Sequence, residues 1–210
     1  MRIAVLSEVS AVDKNRDIME ALAGRGHEVA NLGMTTAQDA PELLYIHTGF
    51  LAGLLLALQR VDLVVGGCGT GQGFLNAAMQ YPGVVCGHLL TPLDAWLFAQ
   101  INAGNCVSLA LNQGYGWAGG INLRFLFDRL FEPERGGGYP PPRREPQRQA
   151  RELLQQVSAG THRDFAAIVE GLPDEVLLPA LRFSRIREFL PLRSIEDGEI
   201  RSVLERRLGS

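Results

Sequence analysis

Five short apolar runs alternate along the first two thirds of the chain with longer segments whose apolar residues recur at helical spacing. The runs are residues 2–6, 28–32, 61–65, 84–87 and 105–109. Short, nearly continuous apolar runs of this kind are expected of strands buried on both faces. Between the first two, Ile18, Met19, Ala21 and Leu22 mark a helix over 13–25, closed by Gly26. Residues 42–59 predict a second helix, with Pro41 suited to open it. A third follows Gly73 and is broken by Tyr81-Pro82-Gly83. Thr91-Pro92 has the form of an N-cap and a first helical residue, starting a fourth helix that reaches about Asn102. Residues 119–131 predict the last helix of this block. The alternation predicts an α/β fold, a Rossmann-like, doubly wound, five-stranded parallel sheet with right-handed crossovers. Such sheets bind ligands beyond the carboxyl ends of their strands. Glu8, Cys68 and His88 fall at or close to those ends.

The pattern changes after Phe131. Residues 135–144 are a Gly/Pro segment that neither a helix nor a sheet tolerates. The chain therefore divides into a sheet domain over 1–133, a connecting arm over 134–147 and a helical C-terminal extension over 148–210. In the extension a helix is expected at 147–170, with Pro173, Pro179 and Pro191 punctuating shorter ones. Arginine is concentrated here, nearly matched by acids, which reads as a solvated or salt-bridged face. The extension is expected to pack across a dimer and over the site opening. From Leu43 to Gln59 no residue is charged. That length is at the short limit for a membrane span, and the segment holds His47, Thr48 and two glycines. A helix buried between the sheet and a partner subunit is the expected reading.

Composition narrows the classes. The chain has 210 residues, 46% hydrophobic and 20% charged, enough for one sizeable core. A net charge of −3 gives no reason to expect nucleic acid. Three cysteines are too few for a disulfide framework, and residues 1–8 lack a signal-peptide pattern, which together predict a cytoplasmic protein without a membrane anchor.

Chemistry concentrates in Gly66-Gly67-Cys68-Gly69-Thr70-Gly71-Gln72-Gly73, between the third strand and a helix. Strand, glycine-rich turn and helix in that order aim backbone N–H groups at whatever lies over the turn, which suits an anion. A cysteine there is a thiolate candidate. The G-x-G-x-x-G of a dinucleotide site would follow the first strand, where Leu6-Ser7-Glu8-Val9 stands instead, and no phosphate-loop G-K-[ST] exists. The histidines at 27, 47, 88 and 162 show no metal-ligand spacing. His27 is expected at the surface, while His47 and His88 are possible site residues. Cys86 and Cys106 lie inside expected strands and read as packing.

Cys68-Gly69-Thr70-Gly71-x-Gly73, followed by Ala77-Ala78 and Pro82-Gly83, resembles the motif C-G-T-G-x-G-x-x-x-A-A-N-K-x-x-G-I-R of the type B ribose-5-phosphate isomerases and the related galactose-6-phosphate isomerase subunits. Residues 2–8 resemble the family's K-I-A-x-G-S-D-H, Asp39-Ala40-Pro41 its D-Y-P, and Asn102-Ala103-Gly104-Asn105 its H-N-x-A-N without the histidine. Arg144 and Arg148 stand four apart, as in its R-H-x-x-R. The likeness covers residues 1 to about 150. It implies interconversion of an aldose and a ketose phosphate through an enediolate, with no metal and no organic cofactor. Cys68 would move the proton and Thr70 would assist it. Gly69, Gly71 and Gly73 would form the anion hole, while Glu8, Asn102, Arg144 and Arg148 would bind the sugar phosphate. The site would be shared between the subunits of a homodimer or larger homo-oligomer.

The departures are specific. Val9 replaces a histidine, and Ile101 stands where the family opens the furanose ring with another. Met79, Gln80 and Val85 replace the motif's Asn, Lys and Arg. The proton-transfer centre is kept and the ring-opening group is not. Two alternatives therefore stand beside the isomerase: a non-catalytic sugar-phosphate-binding homologue, and an epimerase on the same fold.

Overall fold

The computed structural model describes residues 1–209. Its centre is a parallel sheet of β1 (Arg2–Leu6), β2 (Glu28–Asn31), β3 (Leu63–Cys68), β4 (Cys86–Leu89) and β5 (Cys106–Ala110), in the order β2-β1-β3-β5-β4. The chain winds outward from β1 to β2, then crosses back over β1 to β3. The direction of winding therefore reverses between β1 and β3, which are paired through Val5↔Val65 and Leu6↔Gly66. Beyond their carboxyl ends the loops diverge and leave a crevice.

Alternate strand residues feed two cores. Ile3, Val5, Leu63, Val65, Val107 and Leu109 face α1 (Asn15–Leu22), α4 (Pro92–Leu97) and α5 (Gly119–Phe131). Ala4, Leu6, Val64, Cys68 and Cys106 face α2 (Tyr45–Ala57) and α3 (Gln72–Ala78). Burial on both sides is why the three inner strands, β1, β3 and β5, read as apolar runs rather than as alternations, while the edge strands β2 and β4 stay half-buried.

Some boundaries differ from the sequence reading. Helix α2 starts at Tyr45, not at 42, because Leu43 accepts the Val9 N–H at 2.9 Å and points its own N–H at Met34 Sδ at 3.2 Å. Those contacts hold the preceding residues extended. Strand β3 runs on through Gly66 and Gly67 to Cys68. The single helix expected at 147–170 is two, α6 (Arg144–Thr161) and α7 (Phe165–Gly171), with Asp164 capping the second through the Ala167 N–H at 2.7 Å. His27 is not a surface residue. It is half-buried edge-on against Phe131, ring centroids 4.5 Å apart, and burial lowers its pKa.

Beyond α7 come α8 (Asp174–Arg182), α9 (Ser184–Phe189) and α10 (Gly198–Leu208). Phe165, Val169, Leu177, Ala180, Ile186 and Leu204 join the same core as α2. Phe165 stacks on Phe50 at 6.5 Å and leans on Tyr81 at 5.9 Å. A helix apolar all round must be covered on both sides. The cover for α2 is thus this chain's own extension, not the partner subunit expected from sequence. The arginines follow suit. Arg185 meets Asp39 at 2.8 Å and donates to Thr35 Oγ1, and Arg207 pairs with Asp174 at 2.6 Å while donating to the Val169 and Leu172 carbonyls. No helix among the described residues is long and apolar enough to cross a membrane.

Candidate active site

The glycines of the central stretch divide into two kinds. A Cβ on Gly66 would overlap the Phe74 ring, and one on Gly67 would overlap the Leu109 carbonyl oxygen. Those two are packing glycines, letting α3 and β5 approach β3. The loop itself begins at Gly69. Gly71 has φ +75°, and a Cβ there would sit 2.5 Å from His88 Nε2. Both its conformation and its surroundings demand glycine.

Cys68 ends β3 with 6% of its surface exposed, its Sγ 4.0 Å from Thr70 Oγ1. The Gly69 N–H is taken by Ser10 Oγ at 3.0 Å, and the Gly71 N–H makes a long contact of 3.3 Å with the Cys68 carbonyl. The N–H groups of Thr70 and Gly73 have no partner among the described residues. They, rather than all three loop glycines, are the donors available to an anion. The loop is held from below and from the side. Ser108 Oγ donates to the Gly71 carbonyl at 2.6 Å, and the Asn112 N–H to the Gly69 carbonyl at 2.9 Å. His88 Nε2 lies 3.0 Å from the Thr70 carbonyl, an acceptor, so that nitrogen carries the proton and Nδ1 accepts from Gln72 at 3.3 Å. In this arrangement His88 braces the loop.

Across the crevice, Glu8 is 2% exposed and its carboxylate accepts from Ser10 Oγ. Ser10 thereby ties Glu8 to the Gly69 N–H, and its carbonyl accepts from Asn112 Nδ2 at 2.7 Å. Burial pushes the Glu8 carboxyl up, against the Ser10 hydrogen bonds that lower it, and nearby Glu42 adds to the rise. A carboxyl whose folded-state pKa is raised holds its proton more tightly in the native than in the unfolded chain, so stability falls as pH rises between the two values. Glu8→Gln keeps the acceptor for Ser10 without the buried charge. It is expected to melt higher than the parent at pH 8, with the gap closing below about pH 4, where ordinary carboxyls protonate. Thermal melts across that range check this; a gap that widens in acid would refute it.

The other sequence candidates lie elsewhere. Asn102 ends a wide helical turn, Phe98–Asn102, just before β5, and Asn105 beside it bonds Val85 ahead of β4. That is the amino end of the sheet. The five residues of β5 place it about 15 Å from the Cys68 end, at about 3.3 Å per residue. Arg144 is held by Glu134 at 2.9 Å and by the Gly137 carbonyl, and Arg148 by Glu145 at 2.6 Å and by Glu152. The glycine segment just before α6, which carries both arginines, donates from the Gly136 and Gly138 N–H groups to the Ala99 and Gln100 carbonyls at the same amino end. Within one chain these three do not meet Cys68. His47 is near the right end but turned away. Its Nδ1 accepts the Leu44 N–H at 2.9 Å, so Nε2 donates to the Glu175 carbonyl at 2.9 Å and fastens α2 to α8. Cys86 and Cys106 are register partners at the start of β4 and β5, and burial pushes the Cys106 thiol well up.

Ser10, Asn112 and Ser108 belong to no motif in the sequence. Ser10 alone had a local cue, two residues past Glu8; the others are brought in by strand pairing. Hollow size does not mark the site either. A hollow of about 550 Å³ lies among α8, α9 and α10, and one of about 450 Å³ between α6 and the amino ends of β4 and β5, neither including Cys68.

A family model described as ribose/galactose isomerase matches residues 3–126. The whole chain superposes on a 4-deoxy-L-threo-5-hexosulose-uronate ketol-isomerase solved with a tartrate, at TM-score 0.92 and 34% identity, covering 100% of both chains. It superposes equally well, at TM-score 0.92, on a ribose-5-phosphate isomerase from Vibrio parahaemolyticus, with 39% identity over 99% of each chain. A ribose 5-phosphate isomerase from Thermotoga maritima shares the fold at TM-score 0.61 and 21% identity, covering 97% of itself but 74% of this chain.

Proposed function

Because the chain belongs to the ribose/galactose isomerase family, we propose that it interconverts an aldose and a ketose through an enediolate, with Cys68 as the base. The observation that carries this reading is the grouping at the β1/β3 switch point. Cys68, the unpartnered N–H groups of Thr70 and Gly73, and the buried Glu8 carboxyl all meet there. Cys68 as thiolate takes a proton from the carbon next to the carbonyl, and the electron pair of that C–H bond becomes the enediolate double bond. The Thr70 and Gly73 N–H groups receive the developing oxyanion, an interaction that can lower a barrier by about 3 kcal/mol. Glu8, whose burial strengthens its hold on a proton, and Thr70 Oγ1 pass the hydroxyl proton between the two oxygens. Cys68 then returns its proton to the neighbouring carbon. No electron leaves the substrate.

The sequence resemblance points to a sugar phosphate. Two facts favour a second reading of the substrate, an open-chain sugar acid. By the resemblance, Ile101 stands where the family opens a furanose ring, and Arg144 and Arg148 are each already paired with glutamates. A uronate of the kind named for the 34%-identical relative needs no ring opening. A second copy of the chain would bring Asn102 to the crevice, and a homodimer with a shared site remains part of this proposal.

The test is proton exchange in deuterium oxide, followed by NMR, with ribose 5-phosphate, a hexose 6-phosphate and 4-deoxy-L-threo-5-hexosulose uronate. The isomerase reading expects deuterium at the carbon next to the carbonyl in at least one. The open-chain reading expects the uronate to exchange at least about a hundredfold faster than ribose 5-phosphate, a preference of about 3 kcal/mol. The reverse order would return the choice to a sugar phosphate, and no exchange in any of them would overturn the isomerase.

A further inference from the structure

Helices α2 and α3 run side by side in the same direction, in contact through rungs four residues apart. A Cβ on Gly49 would lie 2.5 Å from Ala77 Cβ, and one on Gly53 2.5 Å from Tyr81 Cγ. The rung nearest the crevice reverses the roles, because there the small residue is on α3. A Cβ on Gly73 would lie 3.0 Å from Tyr45 Cγ and 3.1 and 3.2 Å from its two Cδ atoms. Near-equal distances to those three atoms put Gly73 over the face of the ring, not its edge.

The two tyrosines of this ladder have different surroundings. Tyr81 is 5% exposed, closed in by Phe50 at 5.8 Å and Phe165 at 5.9 Å. Tyr45, the first residue of α2, is 46% exposed and lies against Gly73, whose N–H is unpartnered. If Tyr45 served only to fill the groove over Gly73, an aliphatic side chain would do so with less exposed surface. Its phenol stands instead as a half-open wall at the amino end of α3, beside the place where the enediolate would lie. A rigid aromatic face next to hydrogen-bond donors suits a sugar, whose C–H face is apolar and whose hydroxyls are not.

We propose that Tyr45 is a specificity-determining residue whose free ring face takes the C–H face of the bound sugar while its other face rests on Gly73. The assignment rests on the isomerase reading above. The test uses D-erythronohydroxamate, a planar mimic of an enediolate, titrated calorimetrically into the full chain and into Tyr45→Phe, Tyr45→Leu and Tyr45→Ala. Tyr45→Leu keeps apolar cover over Gly73, so it separates packing from stacking. Loss of an aromatic contact of this kind is expected to weaken binding about tenfold in the Leu and Ala variants and to leave Phe within about twofold of the parent. With a substrate found by exchange, KM should rise about tenfold and kcat change by less than about threefold, the mark of a contact made equally in ground and transition states. Tyr45→Leu with parental affinity would make the residue a packing rung and overturn the assignment. So would Tyr45→Phe as weak as Tyr45→Ala, which would transfer the role to the hydroxyl. A change in molar mass by sedimentation with affinity unchanged would place Tyr45 in a subunit contact, with the same consequence. A parent chain that neither exchanges deuterium nor binds the hydroxamate would remove both readings, whereas exchange that persists with parental affinity in Tyr45→Leu would remove only this one.

Discussion

Cys68→Ala is expected to lower the rate of solvent-deuterium incorporation at least about a thousandfold while leaving hydroxamate affinity within about threefold, as removal of a general base should. The expectation is severe because the crevice holds no obvious substitute within one chain. Glu8 is braced by Ser10, His88 Nε2–H is committed to the Thr70 carbonyl, and Thr70 Oγ1 accepts from the Gln72 N–H at 3.3 Å. Cys68→Ser should behave like Ala in exchange, since an alkoxide is not accessible where a thiolate is. The side chain lost is small, so the fold should be lowered by no more than about 1–2 kcal/mol. Exchange retained within tenfold in Cys68→Ala would move the base elsewhere, and Glu8 would be the next candidate to replace.

Ending the chain after Thr161 is expected to prevent folding altogether. Phe50, Leu51, Leu54 and Leu55 of α2 are buried, and Phe165, Val169, Leu177, Ala180 and Leu204 share their core. Uncovering even four large side chains at about 2 kcal/mol each removes about 8 kcal/mol, comparable to the whole stability of an ordinary domain. The truncated chain should be insoluble, or soluble with expanded sedimentation and no near-ultraviolet circular dichroism. A soluble chain with native near-ultraviolet signal would show that the sheet and its helices suffice. Isomerases such as the Thermotoga maritima one, matched over 97% of their own length, fold with a quarter of this chain unmatched. Here α2 lies in a segment with no charged residue from Leu43 to Gln59, which needs apolar cover on its outer side as well.

That uncharged segment shows how far local pattern reaches. Its apolar excess is visible in the sequence, and so is the conclusion that both sides of the helix are buried. Which surface covers the outer side is not visible, because any apolar face satisfies the same requirement; the structure selects α8 and Phe165 of α7 from the same chain, with α10 packed behind α7. The 66–73 stretch behaves similarly. Strand, turn and helix are legible, and the left-handed Gly71 is the kind of position only glycine fills cheaply. Yet Gly66 and Gly67 turn out to serve neighbours 8 and 42 residues away, Phe74 and Leu109, a role no local pattern encodes.

By itself the sequence determined the five strands, their alternation with helices, the position of Cys68 at a strand end and the family motif around it. All of these are properties of short windows, where burial and backbone preference act on residues close in the chain. The tertiary structure decided the rest. The winding reversal at β1/β3 put Glu8 opposite Cys68, and Ser10 took the Gly69 N–H. The same parallel strands carried Asn102 to the opposite end of the sheet. A parallel sheet has two ends, and which residues share one depends on strand order and direction, which long-range pairing sets.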